Sequence, residues 1–533
     1  DALGGVINVI TEKPRNDAQL SFEAAYGNQR TPDASLFAAG RRGEWGASLA
    51  AEVFATDGYI LVPEGERGEV DTPADSKHTT LDVLLERRLT KDARLFVRGN
   101  LFGEVRANGT PLQNNRTHVR QLSAGGDWNA PRFGAFLARA YGGTQVYDQD
   151  FSAVAADRDS EALTRSQRVP AQTLGFTLQW SRSLGARQAF VAGADAQEVR
   201  GASDERVFVG GRETSQVGAG GRERIFGIFA QDAVRVTSKL ILTAGARYDR
   251  WRNYNAASAT RPLTGSAGPT VTVFAPRTET AFSPRASLLY AFSDRLALNA
   301  AMYRAFRAPT LNELYRSFRV GDVLTLANQD LLAERLTGGE AGAKVTLGRD
   351  VNVRGVAFWS ELTRPIANVT LRVAPGLITR QRQNLGRTRS RGLELELSAP
   401  FGERWSVSGG YALTDATVRS FPVNTDLEGL WLPQVPRHQL SVQTRYTNPR
   451  VVNFSLQGRA VGAQFDDDQN RFRLDSFFTL DAFASRSVAK GVELFAAVEN
   501  VFNERYQVGR TPVTTLGAPL LARFGLRLRL GAK

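Results

Sequence analysis

The stretch Arg523-Phe-Gly-Leu-Arg-Leu-Arg-Leu530 decides the fold. Phe524, Leu526, Leu528 and Leu530 alternate with Arg523, Gly525, Arg527 and Arg529. Successive side chains of a strand point to opposite faces, so this strand has one oily and one cationic face. If the oily face meets lipid, the arginines line water. The reverse placement would cost about 2–4 kcal/mol for each arginine near a bilayer midplane. Leu174–Ser181 repeats the pattern, with Leu174, Phe176, Leu178 and Trp180 on one side and Gly175, Thr177, Gln179 and Ser181 on the other. In Gly392–Leu397, Leu393, Leu395 and Leu397 oppose Glu394 and Glu396.

Connections between such runs sort by length. Short ones fall at Arg41–Trp45, Thr90–Arg94, Asn129–Phe133, Leu184–Gln188, Val236–Leu240, Phe292–Leu296, Leu347–Val351, Phe401–Trp405, Thr447–Val451 and Val488–Val492. Long polar ones lie between them, among them Thr56–His78, Thr144–Ala171, Arg250–Ala281, Arg304–Leu336 and Asp415–Arg437. Short turns on one side and long loops on the other are the mark of an antiparallel barrel in an outer membrane. From Gln19–Gly27 to Leu521–Leu530 the runs number about 22, an even count that uses up the chain. The predicted fold is an all-β, 22-stranded antiparallel transmembrane barrel. Closure is obligatory in lipid, where unpaired backbone groups find no water.

Composition agrees. The 533 residues include 50 glycines and 30 phenylalanines, suited to many turns and an aromatic-bearing outer surface. No run of about 18 apolar residues occurs, which argues against membrane helices. Cysteine is absent, in keeping with passage through an oxidising periplasm. The net charge of +13 comes almost wholly from arginine, scattered through strands and loops rather than gathered in a basic segment. That pattern speaks against nucleic-acid binding and for charges lining a wet lumen or meeting anionic lipid.

Several segments, in order, resemble the TonB-dependent outer-membrane receptors. Asp1-Ala-Leu-Gly-Gly-Val-Ile-Asn-Val-Ile-Thr11 resembles the last strand of that family's plug domain. Phe282-Ser-Pro-Arg-Ala286 with Tyr303-Arg-Ala-Phe-Arg-Ala-Pro-Thr-Leu-Asn-Glu-Leu-Tyr315 is similar to a central barrel signature. Asn328-Gln-Asp-Leu-Leu-Ala-Glu334 resembles a family loop whose two prolines are missing here. Arg389-Ser-Arg-Gly-Leu-Glu-Leu-Glu396 and Val498-Glu-Asn-Val-Phe-Asn503 also match. The end of the chain is similar to a barrel-assembly signal, although it closes on Leu530-Gly-Ala-Lys533 rather than an aromatic.

The resemblance implies two parts, a remnant of the plug over residues 1–15 and the barrel over 16–533. It also implies that most of the plug, a signal peptide and the TonB-contacting segment lie upstream of Asp1. The expected function is TonB-energised uptake of a scarce nutrient, first a ferric siderophore, with cobalamin as the rival. Implied partners are that ligand, the TonB–ExbB–ExbD complex, and outer-membrane lipid and lipopolysaccharide, with the barrel a monomer. A passive porin is the alternative of another class, but porins have fewer strands, about 16–18, and no plug motif.

No catalytic constellation is legible and no cofactor is implied. His78 and His118 fall in predicted loops, and His438 starts a strand. No nucleophile elbow, zinc-binding pair or phosphate loop occurs. Ligand capture in the family uses outer-loop aromatics, so the candidates are Tyr59, Trp251, Tyr254, Tyr315, Phe318, Trp431 and Phe465, with Arg252, Arg316 and Arg319 beside them. Aromatic faces and guanidiniums suit an anionic, aromatic chelate. Asp466, Asp467 and Asp468 carry oxygen ligands for calcium, yet their spacing is not that of a calcium loop, and a solvated acidic loop is the favoured reading; the resemblance implies that the triplet shapes a late loop.

Overall fold

The computed structural model describes residues 3–5, 12–320, 323–348, 350–375 and 377–531. Most of the plug-like strand expected over Gly4–Thr11 lies outside the described residues. The chain forms a closed antiparallel barrel of 22 strands. The first strand, Gln19–Gly27, pairs with the second, Thr31–Arg42, and with the last, Leu521–Leu530, so no barrel edge is left open. A further short strand, Thr270–Phe274, adds only to the upper part of Leu240–Pro262. No helix among the described residues is long and apolar enough to cross a membrane.

Register sorts the side chains. Ala194, Ile228, Tyr248 and Phe282 stand opposite one another across four neighbouring strands, and Phe282 is 62% exposed. One residue along, the other face carries charge: Arg247 bridges Asp195, at 2.6 and 2.9 Å, and Asp249, at 2.8 Å. A side chain on Gly227 would run into that guanidinium, so glycine is what the luminal network tolerates there. The closing strand behaves alike. Arg527 stands opposite Glu23 and Glu493 and pairs with both, at 2.6 and 3.6 Å, while Leu526 faces the other way beside Ala24 and Leu494.

Near the short turns the outward face carries Trp45, Trp128, Phe136, Trp180, Trp405 and Tyr446. Trp128 stacks on Phe136 at 5.6 Å, and Trp405 meets Tyr446 at 4.9 Å. The Trp180 indole donates to the Phe133 carbonyl at 2.7 Å. Amphipathic rings at this level form the girdle expected at a membrane–water interface. The same end holds a buried ion network, in which Arg41 and Arg94 share Glu86 and Arg94 also meets Asp127.

At the opposite end many predicted loops prove to be strand. Glu161–Leu184, Gln188–Val209, Arg212–Arg235 and Leu240–Pro262 have 24, 22, 24 and 23 residues, about twice what a bilayer needs. Only residues 155–160 remain as loop in the expected connection Thr144–Ala171. His78 and His118 accordingly lie in the strands Ala74–Thr90 and Asn114–Ala130, not in loops, whereas His438 does start its strand. The apolar alternation ends at the membrane surface, but the hydrogen-bonded ladder carries on into water.

Candidate functional site

The wide mouth on the long-loop side is where the chain folds inward. After the strand Leu296–Arg307, Arg307 meets both Glu313 and Glu334. Glu313 closes a capping box with Thr310, starting the helix Leu311–Tyr315. Burial pushes the Glu313 carboxyl up, but the Arg307 guanidinium and the Thr310 amide outweigh it, and the group ends below its ordinary value. The helix drives Leu314 and Tyr315 into a cluster with Trp251, Ala256, Ala281, Phe306 and Leu331. The Tyr315 ring stacks on Phe274 at 4.7 Å and its hydroxyl donates to Asn253 at 2.7 Å.

Past the helix, Phe318–Val320 and Val323–Leu326 join Ile366–Ala374 and Leu377–Asn384 in a four-stranded sheet. This sheet brings cations together. The Arg316 and Arg382 guanidiniums lie over the Phe318 ring at 5.3 and 5.0 Å. Arg382 is held by the carbonyls of Asn312, at 2.8 Å, and Arg316, at 3.2 Å. Arg316 reaches Gln167 and, at 3.4 Å, Glu205, which also pairs with Arg165. Burial pulls both Arg316 and Arg382 below the ordinary arginine range, opposed by Glu205 at the first and Glu313 at the second. Arg316 thus keeps a partly exposed edge, whereas Arg382, 8% exposed, is held inside by backbone carbonyls.

A second aromatic group lies in later loops. Trp431 meets Phe465 edge-on at 5.7 Å, and Arg437 sits 4.6 Å over the Trp431 ring. Asn470 grips the Trp431 backbone twice, at 2.8 and 2.9 Å. The three aspartates build this loop. Asp467 accepts from the amides of Arg471 and Phe472, both at 2.9 Å. Asp466 accepts from Gln434 and the Arg510 amide, and Asp468 from the amide and hydroxyl of Thr370. Among the described residues no group of three or more His, Cys, Asp or Glu side chains is placed to hold a metal ion.

The sequence-selected residues therefore divide. Arg316 and Phe318 share the first cluster, and Trp431 and Phe465 the second. Tyr59 ends the strand Trp45–Tyr59, half-buried. Trp251 and Tyr315 are 1% and 6% exposed and pack in the buried cluster beneath the mouth. Arg252 and Tyr254 leave the mouth altogether: the Tyr254 hydroxyl donates to Glu198 on the outer face. The Arg319 side chain lies outside the described residues. Arg165, Glu205, Arg382 and Arg437 were missed, because nothing in their local sequence separates them from the many other charged residues of the strand extensions.

A family model described as TonB dependent receptor-like, beta-barrel, matches residues 65–501. The chain belongs to this family. The receptor is an outer-membrane protein of the Gram-negative type. Over 292 residues it is 28% identical to the probable TonB-dependent receptor BfrD of Bordetella pertussis, covering 53% of this chain and 37% of that one. Over 129 residues it is 30% identical to the ferrichrome outer membrane transporter/phage receptor of Escherichia coli, covering 23% and 17%. The match thus spans well under half the length of these relatives. In fold it is similar to the ferric yersiniabactin uptake receptor FyuA of Yersinia pestis, with TM-score 0.80, 14% identity, and 99% and 82% of the two chains covered. It is also similar to the copper transporter OprC, with TM-score 0.79, 14% identity, and coverage of 98% and 81%.

Proposed function

We propose that the receptor captures an anionic, aromatic metal chelate of the ferric-siderophore type and passes it inward when TonB acts on a plug upstream of the barrel. The single observation that carries this reading is the partly exposed Arg316 guanidinium over the Phe318 ring at the mouth, braced from within by the buried Arg382. The guanidinium gives charge and the ring an apolar face, the combination an anionic catecholate or hydroxamate chelate would occupy. Trp431 with Arg437 offers a second such face. Relatives named as a ferrichrome transporter and a metal–pseudopaline receptor support a chelate over a bare ion.

The test is binding of the full-length protein to a panel of ferric siderophores and cobalamin, followed by tryptophan quenching. A ferric chelate should bind, and replacing Arg316 by Ala should weaken it at least tenfold. Binding of cobalamin alone, or of no member of the panel together with unchanged uptake in a deletion strain, would overturn the proposal.

A further inference from the structure

Beneath the helix Leu311–Tyr315 the barrel wall carries a carboxylate in an apolar setting. Glu223, in the strand Arg212–Arg235, stands opposite Asn253 on one side and Val199 on the other, facing the lumen. It lies twelve residues above Arg235, where the strand ends at a short turn. At ~3.3 Å per residue and ~40° of tilt that is about 30 Å of height, clear of an apolar band about 25 Å tall. The Glu223 Oε2 is closed from solvent and has no hydrogen-bond partner among the described residues. The same holds for Trp251 Nε1 and Asn253 Nδ2 on the next strand. Leu311 closes this space from above. A Cβ on Gly221, or on Gly201 opposite it, would come within 3.3 Å of the Leu311 side chain, so the helix sits directly on backbone.

The charges that face Glu223 do not relieve it. Glu313 on the helix is kept ionised by Arg307 and adds like charge. On the strand Arg277–Ser293, Arg277 is engaged by the Gln329 and Leu331 carbonyls and by Glu279, which also meets Arg335. The strand Gln188–Val209 presents only Gln197, Val199 and Gly201 at this height. On the helix, the Tyr315 hydroxyl is given to Asn253. Burial pushes the Glu223 carboxyl up to about 7, the Glu313 charge adds to the rise, and the Trp251 N–H, near but not bonded, opposes both.

We propose that Glu223 is a proton-operated latch for the helix Leu311–Tyr315: neutral, it lets the helix dock, and ionised, it draws water beneath the helix and releases it. Arg316 follows the helix directly and Phe318 lies two residues on, so release also disperses the face assigned above to the chelate, a consequence that rests on that assignment. Docking has full support below the ordinary value of 4.5 and loses it as pH rises through about 7. Between pH 5.5 and 8.5 the docking constant should fall about thirtyfold, the ratio set by a carboxyl at about 7 when docked and 4.5 when released.

The experiment follows amide exchange in the full-length receptor, without ligand, at pH 5.5, 7.0 and 8.5, each rate divided by the intrinsic rate at that pH. Protection in residues 311–316 should fall about thirtyfold in wild type. In E223Q it should stay within about threefold across the range, and E223M, which is apolar and cannot titrate, should behave alike. The histidines at 78, 118 and 438 remain in both variants, so a fall that they cause would persist there. A wild-type change under about threefold, or a fall in both variants equal to that of wild type, would overturn the proposal. Because exchange is read without ligand, a receptor that binds no ferric chelate leaves this result unchanged.

Discussion

Removing the Glu86 carboxylate separates a structural ion pair from the many superficial ones. The Glu86 side chain is fully buried and that of Arg41 is 1% exposed, at the short-turn end of the barrel. Arg94 also holds Glu86, at 2.7 Å, but has a second partner in Asp127. Among the described residues Arg41 meets no other carboxylate, and its side chain also donates to the carbonyls of Pro14 and Glu44, both at 3.2 Å. E86A therefore strands one guanidinium, and the cost expected for breaking a buried pair is about 3–5 kcal/mol. E86Q keeps an acceptor and loses the charge, which should cost about 2 kcal/mol. Replacing both partners, R41M/E86L, should fall within about 1 kcal/mol of wild type, since no charge is left without a partner. The exposed pair Arg87–Glu44, 49% and 59% accessible, is the control, and E44A should cost under ~1 kcal/mol. Equilibrium urea unfolding in micelles, followed by tryptophan fluorescence, gives the four values. An E86A cost equal to that of E44A would refute the reasoning. So would a double variant as unstable as E86A.

Asn500 holds left-handed backbone with φ 50°, donates to the carbonyls of Glu504 and Ala518, and accepts from the Glu504 amide. N500A should cost about 3 kcal/mol by the same unfolding assay, roughly one per lost hydrogen bond. Asp71 clasps Arg158 at 2.8 and 2.6 Å and joins two outer loops. Burial raises the Asp71 carboxyl, but the Arg158 hydrogen bonds and the Gly68 amide outweigh it and leave the group below its ordinary value. The clasp should hold in full above about pH 4 and loosen as pH falls through that depressed value, read as faster amide exchange in residues 62–72 and 155–160. Because Asp466, Asp467 and Asp468 spend their oxygens on N–H and O–H donors, a calcium chelator should leave exchange in residues 464–474 unchanged, whereas D467A should speed it. Replacing Trp431 by Ala should weaken chelate binding about tenfold in a titration, with loss of the face that Arg437 covers.

The barrel was legible because membrane strands write their facing directly into the sequence. Arg523–Leu530 and Leu174–Ser181 alternate without a break, and the strand bounds Gln19–Gly27 and Leu521–Leu530 read from sequence are those of the structure. Legibility stopped where lipid stopped. Above the membrane both faces of a strand meet water, so nothing in residues 145–154 or 251–262 marked them as strand rather than loop. The mouth was harder still. Phe318 was visible as a loop aromatic, but Arg165 and Arg382 approach it from segments more than 60 residues away on either side, joined only by the folded sheet. Trp251 lies buried, and its sequence did not show this because a large aromatic near a strand top serves a core as well as a ligand. Asn500 and Asn503 explain why Val498–Asn503 reads as a motif: both take left-handed backbone that asparagine tolerates.

Membrane placement of the barrel rests on which way the closing strand faces. These 533 residues contain no cysteine, so L526C and R527C each place a single label in the barrel of the receptor reconstituted in lipid. A nitroxide at 526 should be reached by oxygen dissolved in the bilayer and shielded from a small water-soluble nickel chelate, with the opposite order at 527. A label at 526 open to the aqueous reagent beside one at 527 open to lipid would contradict the account.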